Sequence, residues 1–139
     1  MSLKVESKIG KNACLDVDLF NFLSDFTKFT QLLPPEHKEK LNVSPEECTI
    51  NAGAMGNFTL KYIERESPKL IKIGTVGAKE ALTIWIQLKN AGAYDTRVKV
   101  TMQLEIGMMA KMMIKSKIQQ FADSLVDGIC QIPSYILKS

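Results

Sequence analysis

"TRVKVTMQLEIGMMAKMMIKSKIQQFADSLVDGICQIP", residues 96–133, changes its hydrophobic period once, at Gly107. Before that glycine, Val98, Val100, Met102, Leu104 and Ile106 alternate with Arg97, Lys99, Thr101, Gln103 and Glu105. Strict period two with one polar side marks an antiparallel strand whose sheet is covered on one face only. After it, Ile114, Ile118, Phe121, Ala122, Leu125, Ile129 and Ile132 fall on one helical stripe until Pro133 stops the run. A helix of about 25 residues is roughly 37 Å long, and a ten-residue strand spans roughly 34 Å. A rod of that length can lie along the whole concave face of one curved sheet.

The preceding segments supply that sheet. "ALTIWIQLKN" sets Leu82, Ile84, Ile86 and Leu88 against Thr83, Trp85 and Gln87. "KLIKIG" puts Ile71 and Ile73 on one face, and "FTLKYIERES" puts Phe58, Leu60 and Tyr62 on one side with Thr59 and Lys61 on the other. "ECTINA" adds a further strand, and short glycine-bearing links suit hairpins rather than crossovers. Towards the N-terminus, "LKVESKIGK" reads as one edge-type strand that stops at Asn12. In "LDVDLFNFLSDFTKFTQLLPP" the period becomes helical through Leu15, Leu19, Phe22, Leu23 and Phe26, with Asp16 and Asp18 complementing the dipole of the first turn. A second short helix from Phe29 to Leu33 ends at Pro34-Pro35, and "PEHKEKLN" follows as a charged loop.

The totals agree with one domain over residues 1–139. The chain is 45% hydrophobic and 24% charged, ordinary for a globular protein and enough for a core without metal or disulfide staples. A net charge of +3 lacks the dense basic patch of a nucleic-acid-binding domain. Cys14, Cys48 and Cys130 are odd in number and form no C-x-x-C pair, so they read as free thiols in a reducing compartment. "MSLKVESKIGKN" has no apolar signal-peptide core, and no stretch approaches the roughly 18 apolar residues of a membrane span. The expectation is a cytoplasmic protein with no integral membrane segment.

The order strand, two short helices, antiparallel strands and one long terminal helix is that of an α+β helix-grip fold, with about six to seven strands. The sequence resembles the START-related (SRPBCC) superfamily of polyketide cyclases, pollen-allergen-type proteins and lipid-transfer proteins. The resemblance rests on "LFNFLSDFTKFTQLLP", "FTLKYIE", "KLIKIG", "ALTIWIQL", "RVKVTMQLEI" and "KSKIQQFADSLVDGI", and spans essentially the whole chain. It implies an apolar cavity between sheet and helix that binds lipids, polyketides, sterols, quinones or similar molecules. It carries no invariant catalytic motif.

The inward strand faces and the helix stripe name the candidate cavity lining: Phe58, Leu60, Tyr62, Ile71, Ile73, Ile84, Ile86, Val98, Val100, Met102, Met109, Met113 and Phe121. Four of the seven methionines fall at 108, 109, 112 and 113. Methionine adapts to irregular shapes and favours promiscuous surfaces, so a pliable pocket mouth is expected there, with plain core filling as the other reading. A buried Tyr62 hydroxyl needs a partner, either a ligand oxygen or the backbone. Were the protein an enzyme, it would be of cyclase type, with Tyr62 polarising ketone carbonyls. A third reading is an interaction module with a filled core.

Other signals are weaker. Trp85 on the polar strand face makes the outer sheet a candidate homodimer surface. Lys111, Lys115 and Lys117 near the start of the long helix, and Asp123 and Asp127 near its end, oppose the helix dipole. They read as a solvated face, although an anionic head group would relieve the conflict at the start. His37 lacks co-ligands at metal-binding spacing, so neither a metal nor another cofactor is expected. Glu64 and Glu66 share a strand face and read as solvent-facing. "GAMG" and "GTVGA" join strands and so form no phosphate loop.

Overall fold

Alternating side chains let a strand bury one face and wet the other, and the described residues form eight strands. The computed structural model describes residues 2–33, 35–51, 57–76, 82–105 and 108–137, without the side chains of residues 2, 36, 37 and 108–114. Its strands are β1 (Ser2–Glu6), β2 (Gly10–Asn12), β3 (Leu41–Val43), β4 (Glu47–Asn51), β5 (Asn57–Glu66), β6 (Leu70–Val76), β7 (Leu82–Gly92) and β8 (Asp95–Glu105). They form one antiparallel sheet in the order β1-β8-β7-β6-β5-β4-β3, with β2 also pairing β8. The helices are α1 (Asp16–Leu23), α2 (Phe26–Phe29), α3 (Pro35–Lys38), α4 (Met108–Cys130) and α5 (Ser134–Leu137), with a 3-10 turn at Thr30–Leu32.

Register turns the alternation into rows. Ile71 stands opposite Ile86 and Ile86 opposite Val100; Ile73, Ile84, Met102 and Val5 form the next row. All of these face inward and are buried. α1 packs on β6 and β7, whereas α4 lies against β1, β2 and β8 and meets the 3-10 turn.

Three features depart from the sequence reading. The first strand is broken: residues 7–9 stand opposite residues 99 and 100, one residue too many for a regular ladder. Ser7 fills the break, its Oγ accepting from the Val100 N–H at 2.8 Å and donating to the Lys8 carbonyl at 2.7 Å. The charged stretch 35–42 is not a loop. Its first residues form α3, because Pro35 is preset for a first helical position, and Leu41 opens β3 opposite Ile50. Finally, β5 bulges between Tyr62 and Glu64, so Ile63 lies over Gly74 and Arg65 pairs with inward-facing Ile71.

The broken strand seats the C-terminal half of α4. A Cβ at Gly10 would run into Cys130 Sγ and Val126 Cγ1, so only glycine lets the helix approach this closely. Asn12, 5% exposed, donates from Nδ2 to the Ile129 carbonyl at 2.8 Å and the Ile132 carbonyl at 3.3 Å. Ile129 is in the last turn of α4 and Ile132 lies just past it; the Ile129 carbonyl also accepts from the Ile132 N–H at 3.4 Å. Lys8 reaches across to α4, its N–H donating to Asp123 Oδ1 at 2.9 Å and its Nζ pairing with Asp127 at 2.7 Å. The two aspartates that oppose the dipole are thereby answered from the strand. Val126, outside the stripe read from the sequence, is fully buried beside Ala122 and Ile129.

Replacing Asn12 with alanine removes the amide that donates to both carbonyls, and stability is expected to fall by about 1–2 kcal/mol. Urea unfolding measures the loss; an unchanged midpoint would mean that other donors reach the helix end.

Candidate functional site

Burial on the concave face has a gradient. Near the end covered by α1, Leu19, Leu23, Ile71, Ile86, Val98 and Val100 are inaccessible, as are Val126 and Ile129 of α4. Towards the end where β8 leads to α4, cover thins. Leu41, Ile50 and Phe58 form one inward row and Leu82 and Leu104 another, yet all five are only half-buried. On α4, Ile118 is half-buried and Phe121 is 42% exposed. Among the described residues, packing closes one half of the grip and leaves these apolar side chains of the other incompletely buried, apart from Leu3, which is buried beside Leu104.

The side chains singled out from the sequence divide along this gradient. Leu60, Ile71, Ile73, Ile84, Ile86, Val98, Val100 and Met102 come together on the inner face and are buried. Phe58 and Tyr62 are half-buried there, and Phe121 sits at the boundary with solvent. The Met109 and Met113 side chains lie outside the described residues, as do those of Met108, Met112 and His37.

A hollow of about 460 Å³ opens between the 3-10 turn and α4. Leu32, Leu33, Phe121 and Leu125 give it apolar walls, Lys117, Gln120 and Ser124 give it polar ones, and Gly128 lies at its edge. A Cβ on Gly128 would meet only Leu32 Cβ, at an ordinary 3.8 Å. Sequence reasoning missed Leu32, Leu33 and Gly128. Their only signal was position, two leucines before a proline pair and one glycine within a helical stripe.

Tyr62 is held from three sides. Its ring stacks on Phe26 with centroids 4.3 Å apart, and the Arg65 guanidinium lies 4.7 Å above the ring. Its hydroxyl donates to the Leu23 carbonyl at 2.5 Å, and burial holds the phenol well above its ordinary pKa, so it remains a neutral donor. Arg65 in turn donates to the Ser24 carbonyl at 3.1 Å and forks onto Glu46 at 3.0 and 2.8 Å. The cluster ties the α1–α2 joint to β4 and β5, and it commits the phenolic proton to the backbone. Arg65 was missed because strict alternation cannot register a bulge.

Nucleophilic and metal chemistry find little here. Burial raises the thiol pKa values of Cys14 and Cys130 and pushes that of Cys48 to about 11, which suits inert core thiols. Among the described residues no three His, Cys, Asp or Glu side chains are placed to hold a metal ion. No described helix is long and apolar enough to cross a membrane.

Two measurements check the Tyr62 cluster. Tyr62→Phe leaves the Leu23 carbonyl without its donor and is expected to cost about 1–2 kcal/mol in urea unfolding, whereas a mere surface tyrosine would cost nothing. Arg65 holds the Glu46 carboxyl below the ordinary value of 4.5. A depressed folded-state pKa stabilises above the unfolded value and ceases to do so as pH falls through the folded one. The gap in melting temperature between wild type and Glu46→Gln should therefore be full at neutral pH and shrink below pH 4.5. A gap that widened with acid would contradict the pairing.

No protein-family model matches the sequence, and no curated protein matches it. Solved structures do resemble the fold. Norcoclaurine synthase from Thalictrum flavum superposes with a TM-score of 0.71 at 13% identity, over all of this chain and 88% of that one. The same enzyme has been solved in complex with dopamine and hydroxybenzaldehyde. A START superfamily protein from Mycobacterium smegmatis gives a TM-score of 0.62 at 14% identity, over 94% of this chain and 99% of that one. A solution structure from Thermobifida fusca gives 0.62 at 12% identity, over 96% and 95%. The chain has the fold that these START-related proteins share, the helix-grip fold, in which a curved antiparallel sheet holds a long C-terminal helix.

Proposed function

We propose that this protein binds a hydrophobic or amphipathic small molecule against α4, in the hollow between the 3-10 turn and that helix. The observation that carries the reading is the apolar wall of that hollow, formed by Leu32, Leu33, Phe121 and Leu125, with Phe121 left 42% exposed. An apolar side chain left wet on an inner face gains roughly 25 cal/mol for every Å² that a ligand covers. The 460 Å³ hollow beside Phe121 lies within the size range of small-molecule sites, about 300–1,000 Å³. Its Lys117, Gln120 and Ser124 suit the polar end of an amphipathic guest. Likeness of fold adds only an analogy.

The cyclase alternative asks Tyr62 to polarise a carbonyl of the guest. That hydroxyl already donates to Leu23, which favours a binding role over a catalytic one for this residue.

A neutral fluorescent probe, Nile red, tests the reading without involving charge. Saturable one-to-one binding with blue-shifted emission is expected. Gly128→Leu fills the hollow and should weaken the probe about fivefold or more, equivalent to about 1 kcal/mol. Gly128→Ala adds only a Cβ in ordinary contact, so binding should hold within about twofold while helix propensity raises stability by about 0.5–1 kcal/mol. Absence of saturable binding to the wild type sinks the proposal.

A further inference from the structure

The outer face of the sheet carries an arrangement that strand pairing by itself disfavours. In register, Lys11 of β2 stands opposite Arg97 of β8, and Arg97 stands opposite Lys89 of β7. Three cations thus sit in one row across three strands, and like charges directly opposite one another destabilise a sheet. Asp95 answers part of the row, accepting from Arg97 Nε at 2.9 Å and lying 3.8 Å from Lys11 Nζ. Among the described residues, neither Lys89 nor Lys69 has a carboxylate within ion-pair distance. One row up, Leu70, Gln87 and Lys99 stand side by side on the same face.

Lys69, Leu70, Gln87, Lys89, Arg97 and Lys99 line a second hollow, of about 650 Å³, to which Lys11 and Asp95 do not contribute. Ile9, Pro68, Leu70, Leu88 and Val98 supply its apolar surface, and Lys69, Lys89 and Arg97 supply cations. Ile9 leaves 67% of its surface in water. Asp16 is the one carboxylate among the lining residues, and Lys99, which also lines the hollow, is paired with Glu6 at 3.1 Å. By register Leu70, Gln87, Lys89, Arg97 and Lys99 alternate with the buried Ile71, Ile86, Leu88, Val98 and Val100, so they point away from α4.

We propose that this hollow is a second ligand site, sharing no lining residue with the hollow beside α4, for a small amphipathic anion: a short apolar body bearing a carboxylate or phosphate. The apolar body would rest on Ile9, Pro68 and Leu70. The head group would lie against Lys89 and Arg97 and relieve the repulsion within their row. Charge-assisted hydrogen bonds from lysine and arginine are about twice as strong as neutral ones, and guanidinium favours planar oxyanions. Charge also selects the occupant. A second copy docked two-fold over this hollow would set cations against cations. A flat bilayer matches a concave, small-molecule-sized hollow poorly.

Phenyl phosphate is a suitable probe, with inorganic phosphate and phenol as its two halves, followed by calorimetry and amide shifts in nuclear magnetic resonance. Phenyl phosphate should bind about tenfold or more tighter than either half, with shifts centred on residues 87–90 and 97–99. Lys89→Gln should weaken it about tenfold, Lys69→Gln should act in the same direction, and Lys89→Arg should retain binding. Lys89→Gln removes one of three opposed charges, so its melting temperature should rise by about a degree or two rather than fall. Gly128→Leu, in the hollow beside the 3-10 turn, should leave phenyl phosphate binding unchanged, so loss of Nile red binding and loss of phenyl phosphate binding fail independently. The site is overturned if Lys69→Gln and Lys89→Gln together bind the probe like wild type, if Gly128→Leu abolishes its binding, or if only phosphatidylglycerol vesicles bind.

Discussion

Where α4 rests depends on an approach of helix to backbone that one residue permits. Gly10 admits Val126 and Cys130 against the strand, and Asn12, two residues on, turns its amide to the carbonyls at the end of the helix. Lys8 completes the seat by answering Asp123 and Asp127. These contacts all come from the broken first strand, on the β8 side of the sheet, so the helix is held against β1, β2 and β8. Among the described residues, α1 covers β6 and β7 and Phe26 of α2 stacks on Tyr62 of β5. The gradient of burial follows from that seat.

The fold was readable because its governing signal is local. Period two in "ALTIWIQL" and "RVKVTMQLEI", then period three to four after Gly107, is enough to place a rod on a one-sided sheet. What escaped was set by contacts between distant parts of the chain. Ser7 breaks its strand with a hydroxyl that bonds Val100, 93 residues away, and nothing in "VESKIG" marks the residue as special. The bulge at Ile63 exists because Gly74, on the neighbouring strand, leaves room for it. Once the bulge is present, Arg65 faces inward and finds Tyr62, Ser24 and Glu46. The candidate site was legible in the same measure. Inner strand faces could be listed from parity, but how deeply each residue is covered depends on where the helix sits, and a hydrophobic stripe does not encode that. Val126 and Phe121 make the point, one fully buried although outside the expected stripe and the other 42% exposed although within it.

Stability and openness are kept at opposite ends of the grip. The closed end gathers the aliphatic rows, the Tyr62–Arg65–Glu46 cluster and the docking of α1 on β6 and β7. Large-to-small changes in such a region typically cost a few kcal/mol, a sizeable part of the 5–15 kcal/mol that holds a domain together. The other end contributes less burial per side chain. Surface that is not needed to hold the fold is free to be covered by something else.

Register links the two faces of the sheet. A one-residue slip in β7 or β8 would turn Ile86, Leu88, Val98 and Val100 outward, so the inner rows hold the pairing very tightly. That pairing also fixes which outer residues stand opposite one another, whatever their charges. The Cα atoms of Lys11, Arg97 and Lys89 cannot move apart without dragging the core with them, and the charge that Asp95 leaves unmatched must be borne or neutralised there. The hydrophobic interior therefore does more than fill space. It supplies the rigidity that keeps three cations side by side at the edge of an apolar hollow, an arrangement that a looser sheet would relax by shifting register and that an anion relieves without moving the backbone.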